Sequence, residues 1–203
     1  NNCSVAGKLQ VEGLRKLDSP RAKNLLRHTL AQQGVTLPST VKLEEILRQL
    51  LSSRPDAKLH IAFGNTEIRC FKGALHVRPL AVPATTDWLL AWRGEKLLAI
   101  PELGGTVSFL QQKGTGINLS KLMEKAVTIR LRQGWERLRP DCKRPRRSLK
   151  NLLQEAALPP WEREMLPLLF SGKHLVWVPG IGIDCDFQAA AGEPGLVVKW
   201  QRN

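Results

Sequence analysis

The chain of 203 residues contains no tyrosine, which removes tyrosine as a nucleophile or general acid. Its four cysteines (Cys3, Cys70, Cys142 and Cys185) form no CxxC pair, so zinc-site spacing is missing. A chain of this length does not need a disulfide scaffold, and free thiols in a reducing, cytoplasmic setting are the expectation. The four histidines (His28, His60, His76 and His174) make no HExxH or HxH pair. No Ser/His/Asp arrangement, carboxylate pair or GxxxxGK[ST] phosphate loop can be assembled from spacing. No apolar run approaches the roughly 20 residues of a membrane span. The opening Asn1-Asn2-Cys3-Ser4 carries neither an initiator methionine nor a signal-peptide pattern, so a fragment or processed chain is expected.

Acidic residues are scarce. Eighteen Asp and Glu face 31 Lys and Arg, a formal charge of +13. That excess calls for a polyanionic partner, nucleic acid before membrane. Apolar residues at 42% and charged residues at 24% are ordinary for a globular protein. The charge is uneven: residues 1–79 carry net +7, 80–120 net zero and 121–203 net +6. Pro79 and Pro83 interrupt regular pairing, which predicts two domains, 1–82 and 83–203.

In the first, Ser19-Pro20 opens a helix with Ser19 as cap, and Ala22, Leu25, Leu26 and Leu30 fall on one face before Gly34. Ser39 or Thr40 caps a second helix with Leu43, Ile46, Leu47, Leu50 and Leu51 inward. After Pro55 the period becomes two, which predicts a three-stranded meander turning at Gly64-Asn65 and Lys72-Gly73. The second reads as mostly β, with strands at 96–100, 106–111, 127–131, 175–178 and 196–200. Helices are expected at 119–124 and 149–157, the latter capped by Ser148, with one further turn at 161–166. The class is α+β: a helical pair with a β-meander, then a mostly β domain with one or two inserted helices.

Residues 130–150 hold Arg130, Arg132, Arg137, Arg139, Lys143, Arg144, Arg146, Arg147 and Lys150 against only Glu136 and Asp141, net +7 in 21 positions. On the predicted strand Arg130 and Arg132 share a face, and the loop after it runs into a helix N-terminus whose free N–H groups also favour an anion. This is the candidate phosphate-backbone site, and Trp135 within it is a candidate for stacking on a base. Gly114-Thr115-Gly116 lacks the third glycine of a dinucleotide fingerprint and reads as a turn. Asp184-Cys185-Asp186 with His174 has no metal-ligand spacing and reads as a polar turn, so no metal site is assigned. Trp177 and Trp200 lie in strands as core residues, and His60 and His76 share the polar side of the meander.

Three runs of residues then resemble a known family. They are Arg132-Gln133-Gly134-Trp135-Glu136-Arg137-Leu138-Arg139-Pro140, Arg147-Ser148-Leu149-Lys150-Asn151-Leu152-Leu153-Gln154-Glu155, and Leu158-Pro159-Pro160-Trp161-Glu162-Arg163 with Leu166-Pro167-Leu168-Leu169. With Val178-Pro179-Gly180 and Trp200, they resemble the C-terminal domain of bacterial tRNA(Ile)-lysidine synthetase. Leu25-Leu26-Arg27, Pro38-Ser39 and Glu67-Ile68-Arg69 are similar to that family's middle, substrate-binding domain. Trp135 stands where the family usually has a second glycine, and Cys70-Phe71 replaces a basic–aromatic pair.

The resemblance implies an ATP-dependent ligase that joins lysine to the wobble cytidine of CAU-anticodon isoleucine tRNA. That chemistry belongs to an N-terminal PP-loop domain whose SGGxDS-type loop this sequence does not contain. By resemblance the chain is the tRNA-recognition portion, inactive alone and binding no cofactor. ATP, Mg and lysine would be handled by the catalytic domain. The implied tRNA contacts are the basic cluster, Trp135 and Arg163, with Arg27 and Arg69 in the middle domain. A homodimer stays open. Two other readings compete: a winged-helix DNA-binding regulator, opposed by Glu44 and Glu45 near the start of the would-be recognition helix, and a stand-alone structured-RNA-binding module.

Overall fold

The architecture comes from a computed structural model that describes residues 4–5, 8–54, 59–80 and 88–202. Cys3, Pro55 and positions 81–86 of the proline-marked boundary lie outside the described residues. The chain divides into two compact units, Asn1–Val82 and Pro83–Asn203.

The first unit starts with β1 (Ser4–Val5) paired antiparallel to β2 (Lys8–Leu9), then a short α1 (Val11–Arg15). Helix α2 (Ser19–Gln32) is capped not by Ser19 but by Asp18, whose carboxylate accepts the Arg21 N–H at 2.9 Å. The reason is local: Ser19-Pro20 already has helical geometry, so the cap falls one residue earlier. Ser39 caps α3 (Thr40–Ser52) through the Lys42 N–H. The period-two segment forms β3 (His60–Phe63), β4 (Thr66–Phe71) and β5 (Ala74–Pro79), an antiparallel meander in that order. Its second turn uses Lys72 and Gly73, both with positive φ (49° and 75°), the pair that a tight type I′ hairpin needs. Ile61, Ile68, Cys70 and Leu75 bury one face of the sheet against Leu14, Leu26, Leu30, Leu43, Ile46 and Leu50. Each such leucine contributes about 1.5–3 kcal/mol of transfer free energy, so the unit has a core of its own.

The second unit opens with β6 (Leu89–Ala91), β7 (Leu97–Ile100), β8 (Gly105–Lys113) and β9 (Ile117–Asn118), then α4 (Leu119–Met123) and β10 (Val127–Arg130). The basic segment follows, with β11 (Arg137–Leu138), β12 (Arg147–Ser148) and α5 (Leu149–Glu155). After α6 (Pro160–Arg163) come β13 (Leu168–Ser171), β14 (His174–Val178), β15 (Gly182–Ile183) and β16 (Pro194–Arg202). A five-stranded sheet runs β15-β14-β13-β10-β6 and a four-stranded one β7-β8-β16-β9. One core packs Trp92, Ile100, Val107, Phe109, Ile129, Val176 and Val198, with the Trp92 and Phe109 rings stacked at 4.8 Å. Another packs Leu149, Leu152 and Leu153 of α5 against Leu168, Phe170 and Leu175. The five-stranded sheet is therefore covered on both faces.

The sequence reading lacks β6, β13 and β15 of this sheet and the two-residue strands β9, β11 and β12, and for β13 the double burial is the reason. All four residues of β13 are buried, so Leu168-Leu169-Phe170-Ser171 shows no alternation to announce it. Helix α5 ends at Glu155, short of the expected Ala157, because Ala157 takes a left-handed φ of 54°. Pro160 does more than stop it, since it opens α6.

Candidate nucleic-acid interface

The strand β10 ends at Arg130, so Arg132 lies beyond it and the two guanidinium groups do not form the expected strand-borne pair. Arg130 is held in place: its guanidinium sits 4.9 Å over the Phe170 ring and donates to the Gly172 carbonyl and Thr128 Oγ1, each at 2.9 Å. The buried carboxylate of Glu136 then accepts the N–H groups of Gln133 and Gly134 and folds the turn that carries Trp135. That turn projects the indole outward, 56% exposed, with its N–H on Gln133 Oε1 and its ring 6.3 Å from Phe170.

The loop between β11 and β12 is where counting charge along the sequence misleads. Three carboxylates from distant positions enter the basic cluster. Asp184, 1% exposed, accepts both Nη1 (2.7 Å) and Nη2 (3.0 Å) of Arg146 and the Arg139 N–H (2.9 Å). Asp186 pairs with Arg139 and Arg146. Glu155 of α5 forms a two-point ion pair with Arg147. The hydrogen bond from Arg147 holds the Glu155 carboxyl below its ordinary range and raises Arg147 in turn. Arg137 donates to the Arg146 carbonyl. Arg137, Arg139, Arg146 and Arg147 are thus engaged in building the loop.

Of the remaining cations Arg27, Lys143, Arg144 and Lys150 are exposed, while Arg132 is half-buried with its Nε out of reach of solvent. Among the described residues, Arg27, Arg132, Lys143 and Lys150 have no side-chain hydrogen bond or ion pair, and Arg144 has only an exposed, 3.4 Å contact with Asp141. An exposed pair of that kind is worth well under about 1 kcal/mol and yields readily to a phosphate. Arg163 donates Nε to the Leu158 carbonyl, and burial followed by the charge of Arg132 lowers its pKa. In the first unit Arg27 is exposed on α2. Arg69 and Arg78 both lie on Glu67, a 1% exposed carboxylate that also contacts His60 Nε2 at 2.8 Å. His60 and His76 sit directly across from Arg69 on the neighbouring strands.

Two of the N–H groups expected to favour an anion at the start of α5 already have partners. Ser148 Oγ accepts the Asn151 N–H and the Glu136 carbonyl accepts that of Leu149. The expectation of free thiols fails for two cysteines. Cys142 in the basic loop and Cys185 beside Asp184 form a disulfide with Cα atoms 5.4 Å apart, because the fold brings together positions 43 apart in sequence. Cys70 remains a buried free thiol. Gly114-Thr115-Gly116 is the turn between β8 and β9, and Gly116, at φ 88°, lies against the Leu196 carbonyl where a side chain would collide. Among the described residues no group of three His, Cys, Asp or Glu is disposed around a metal, and no helix is long and apolar enough to cross a membrane.

The class the structure defines is a two-unit α+β protein whose second unit carries a basic segment braced by internal carboxylates, with an exposed tryptophan beside it. Residues 9–76 match the family model for the TilS substrate binding domain, and residues 127–200 that for the TilS substrate C-terminal domain. Together they take in more than half of the chain, which belongs to the TilS family. It is 50% identical over 199 residues to the tRNA(Ile)-lysidine synthase of Nitrosomonas europaea, covering 98% of this chain and 43% of that protein. The enzymes of the same name from Aromatoleum aromaticum and Coxiella burnetii are 35% and 32% identical over 93% and 95% of the chain. The chain spans 44% and 43% of their respective lengths. A crystal structure of a TilS C-terminal domain aligns over 57% of this chain with TM-score 0.49 and 17% identity.

Proposed function

We propose that this chain is the tRNA-recognition portion of a cytoplasmic ligase that attaches lysine to the wobble cytidine of CAU-anticodon isoleucine tRNA. ATP, Mg and lysine belong to a catalytic region of the relatives that this chain does not cover. The domains 1–82 and 83–203 act as two tRNA-binding modules. The observation that carries the reading is the charge left over in the second unit. After Asp184, Asp186 and Glu155 have engaged Arg139, Arg146 and Arg147, the loop and its surroundings still present Lys143, Arg144, Lys150 and an exposed Trp135, with Arg132 half-buried nearby. Cations point at phosphates and a flat ring at a base, which is how single-stranded or terminal RNA is held.

The test is a binding titration at two salt concentrations with CAU isoleucine tRNA, elongator methionine tRNA and duplex DNA of matched length. Preference for tRNA with a steep salt dependence supports the reading. Replacing Lys143, Arg144 and Lys150 together by Gln lowers the salt slope by about 2 to 3. Equal or tighter binding to duplex DNA overturns it in favour of a DNA-binding regulator.

A further inference from the structure

We propose that Cys142 and Cys185 form a thiol–disulfide exchange site, reacting with small-molecule disulfides and thiols of the glutathione class, whose oxidation fastens the basic loop and tightens its hold on RNA. The effect on RNA rests on the function proposed above; the exchange chemistry does not.

Three observations support it. The first is reach. Cys142 is exposed in the turn after Pro140, and Cys185, half-buried, opens the 3-10 turn Cys185–Phe187. Their Cα separation of 5.4 Å lies inside the range that a disulfide requires.

The second is a scaffold that holds the two sulfurs together without the bond. The Cys185 N–H donates to the Arg139 carbonyl at 2.7 Å, and Gln188 Nε2 donates to the Pro140 carbonyl at 3.1 Å. Arg146 is clamped on Asp184 at the far end of the loop. Reduction therefore leaves the thiols facing each other, ready to close again. A pair that can open and reform in place is reversible.

The third is the chemical setting. Cys142 is exposed with Asp141 before it and Lys143 and Arg144 after it, and Cys185 stands between Asp184 and Asp186, whose carboxylates are engaged by Arg139 and Arg146; the cations beside the exposed thiol favour its thiolate. Cys70, buried in the first unit, has no such access.

The exchange balances. The Cys142 thiolate attacks one sulfur of the small disulfide, forming a mixed disulfide and expelling one thiolate. Cys185 gives up its proton and attacks Cys142 Sγ, which forms the internal bond and expels the second thiolate. The protein sulfurs lose two electrons, and one small disulfide becomes two thiols. A small thiol reverses both steps.

The coupling to binding follows from position. Lys143 and Arg144 lie at the apex of a loop whose two ends are already tied down. Closing the bond at Cys142 fixes the apex as well. Without it, residues 141–145 keep the hydrogen bonds of the Lys143 and Arg144 N–H groups to Asp141 but lose the covalent tie, so the turn has more residual freedom to give up when a phosphate binds, which weakens the complex.

The experiment equilibrates the chain in buffers of graded glutathione to glutathione-disulfide ratio, quenches with acid, alkylates and maps peptides by mass. The expected result is a cross-linked Cys142–Cys185 peptide whose fraction follows the ratio, while Cys70 stays alkylatable after unfolding throughout. Cys142 and Cys185 remaining thiols at every ratio, or pairing elsewhere, overturns the site. Affinity for a tRNA transcript is then read for both forms. The oxidised form is expected to bind about three- to tenfold tighter, and the Cys142→Ser variant to match the reduced form under both conditions. Equal affinity of the two forms overturns the coupling. A normal exchange titration with no RNA binding in either form overturns the function proposed above and leaves the exchange site standing.

Discussion

Removing the carboxylate of Asp184 should collapse the organisation of the basic loop. Asp184→Ala deletes the acceptor for the Arg139 N–H, the acceptor for the Asp186 N–H at 3.2 Å, and a two-point contact with Arg146. Breaking a fully buried ion pair costs about 3–5 kcal/mol. Here only Asp184 is buried, and the Arg146 side chain is 36% exposed, so water and Asp186 take up part of the loss. About 1–2 kcal/mol remains for the pair after that discount. The Arg139 N–H, left without its charged acceptor, adds about 1.5 kcal/mol. The Asp186 N–H belongs to an exposed residue and finds water. The expected loss is about 2–4 kcal/mol.

Tryptophan fluorescence during urea unfolding suits the measurement. All six tryptophans (Trp88, Trp92, Trp135, Trp161, Trp177 and Trp200) lie in the second unit, so the signal reports that unit alone. The disulfide is kept oxidised throughout so that reduction does not mix with unfolding. A midpoint shift at unchanged m-value is a stability change. A loss below about 1 kcal/mol would refute the assignment of Asp184 as the loop's anchor. Asp184→Asn, which keeps one carbonyl oxygen for the Arg139 N–H, should lose roughly half as much.

Trp135→Ala should leave stability within about 0.5 kcal/mol, since the ring is mostly exposed, yet weaken tRNA binding by about 1–3 kcal/mol; unchanged affinity removes the ring from the interface. Gly195→Ala should destabilise the second unit by about 2–4 kcal/mol in the same urea assay. Its new Cβ would sit 1.8 Å from the Thr115 carbonyl oxygen, and a near-neutral result would mean the turn relaxes freely. Burial pushes the Cys70 thiol above its ordinary value of 9.0, so the folded state keeps a proton that the unfolded chain gives up. That contribution is present below the unfolded pKa and is lost as pH rises through the folded one. The helical signal of the first unit should therefore unfold at lower urea above pH 9 than at pH 8, and Cys70→Ala should flatten that trend.

Much of the framework could be read from residue order. The spacing of Leu43, Ile46, Leu47 and Leu50 placed α3, and the period-two run from His60 to Pro79 placed the meander with both turns. Ser148, followed by Leu149, Leu152 and Leu153, placed α5. These signals are local, so one chain is enough to show them. β13 was missed because burial on both faces erases alternation. The left-handed Ala157 was missed because nothing in an alanine announces a positive φ.

The sequence by itself determined the class of protein, α+β in type, and the excess of positive charge. Net charge and hydrophobic period are sums and spacings along the chain, and they survive any arrangement of it. Only the tertiary structure decided which arginines of residues 130–150 are free. Along the chain that segment has two acidic residues; in space Asp184, Asp186 and Glu155 join it from 8 to 47 positions away and turn three of its cations into structure. The disulfide was hidden for the same reason, since its cysteines stand 43 positions apart. Coulomb and covalent partners are chosen by distance in space, and that distance exists only once the sheets have packed.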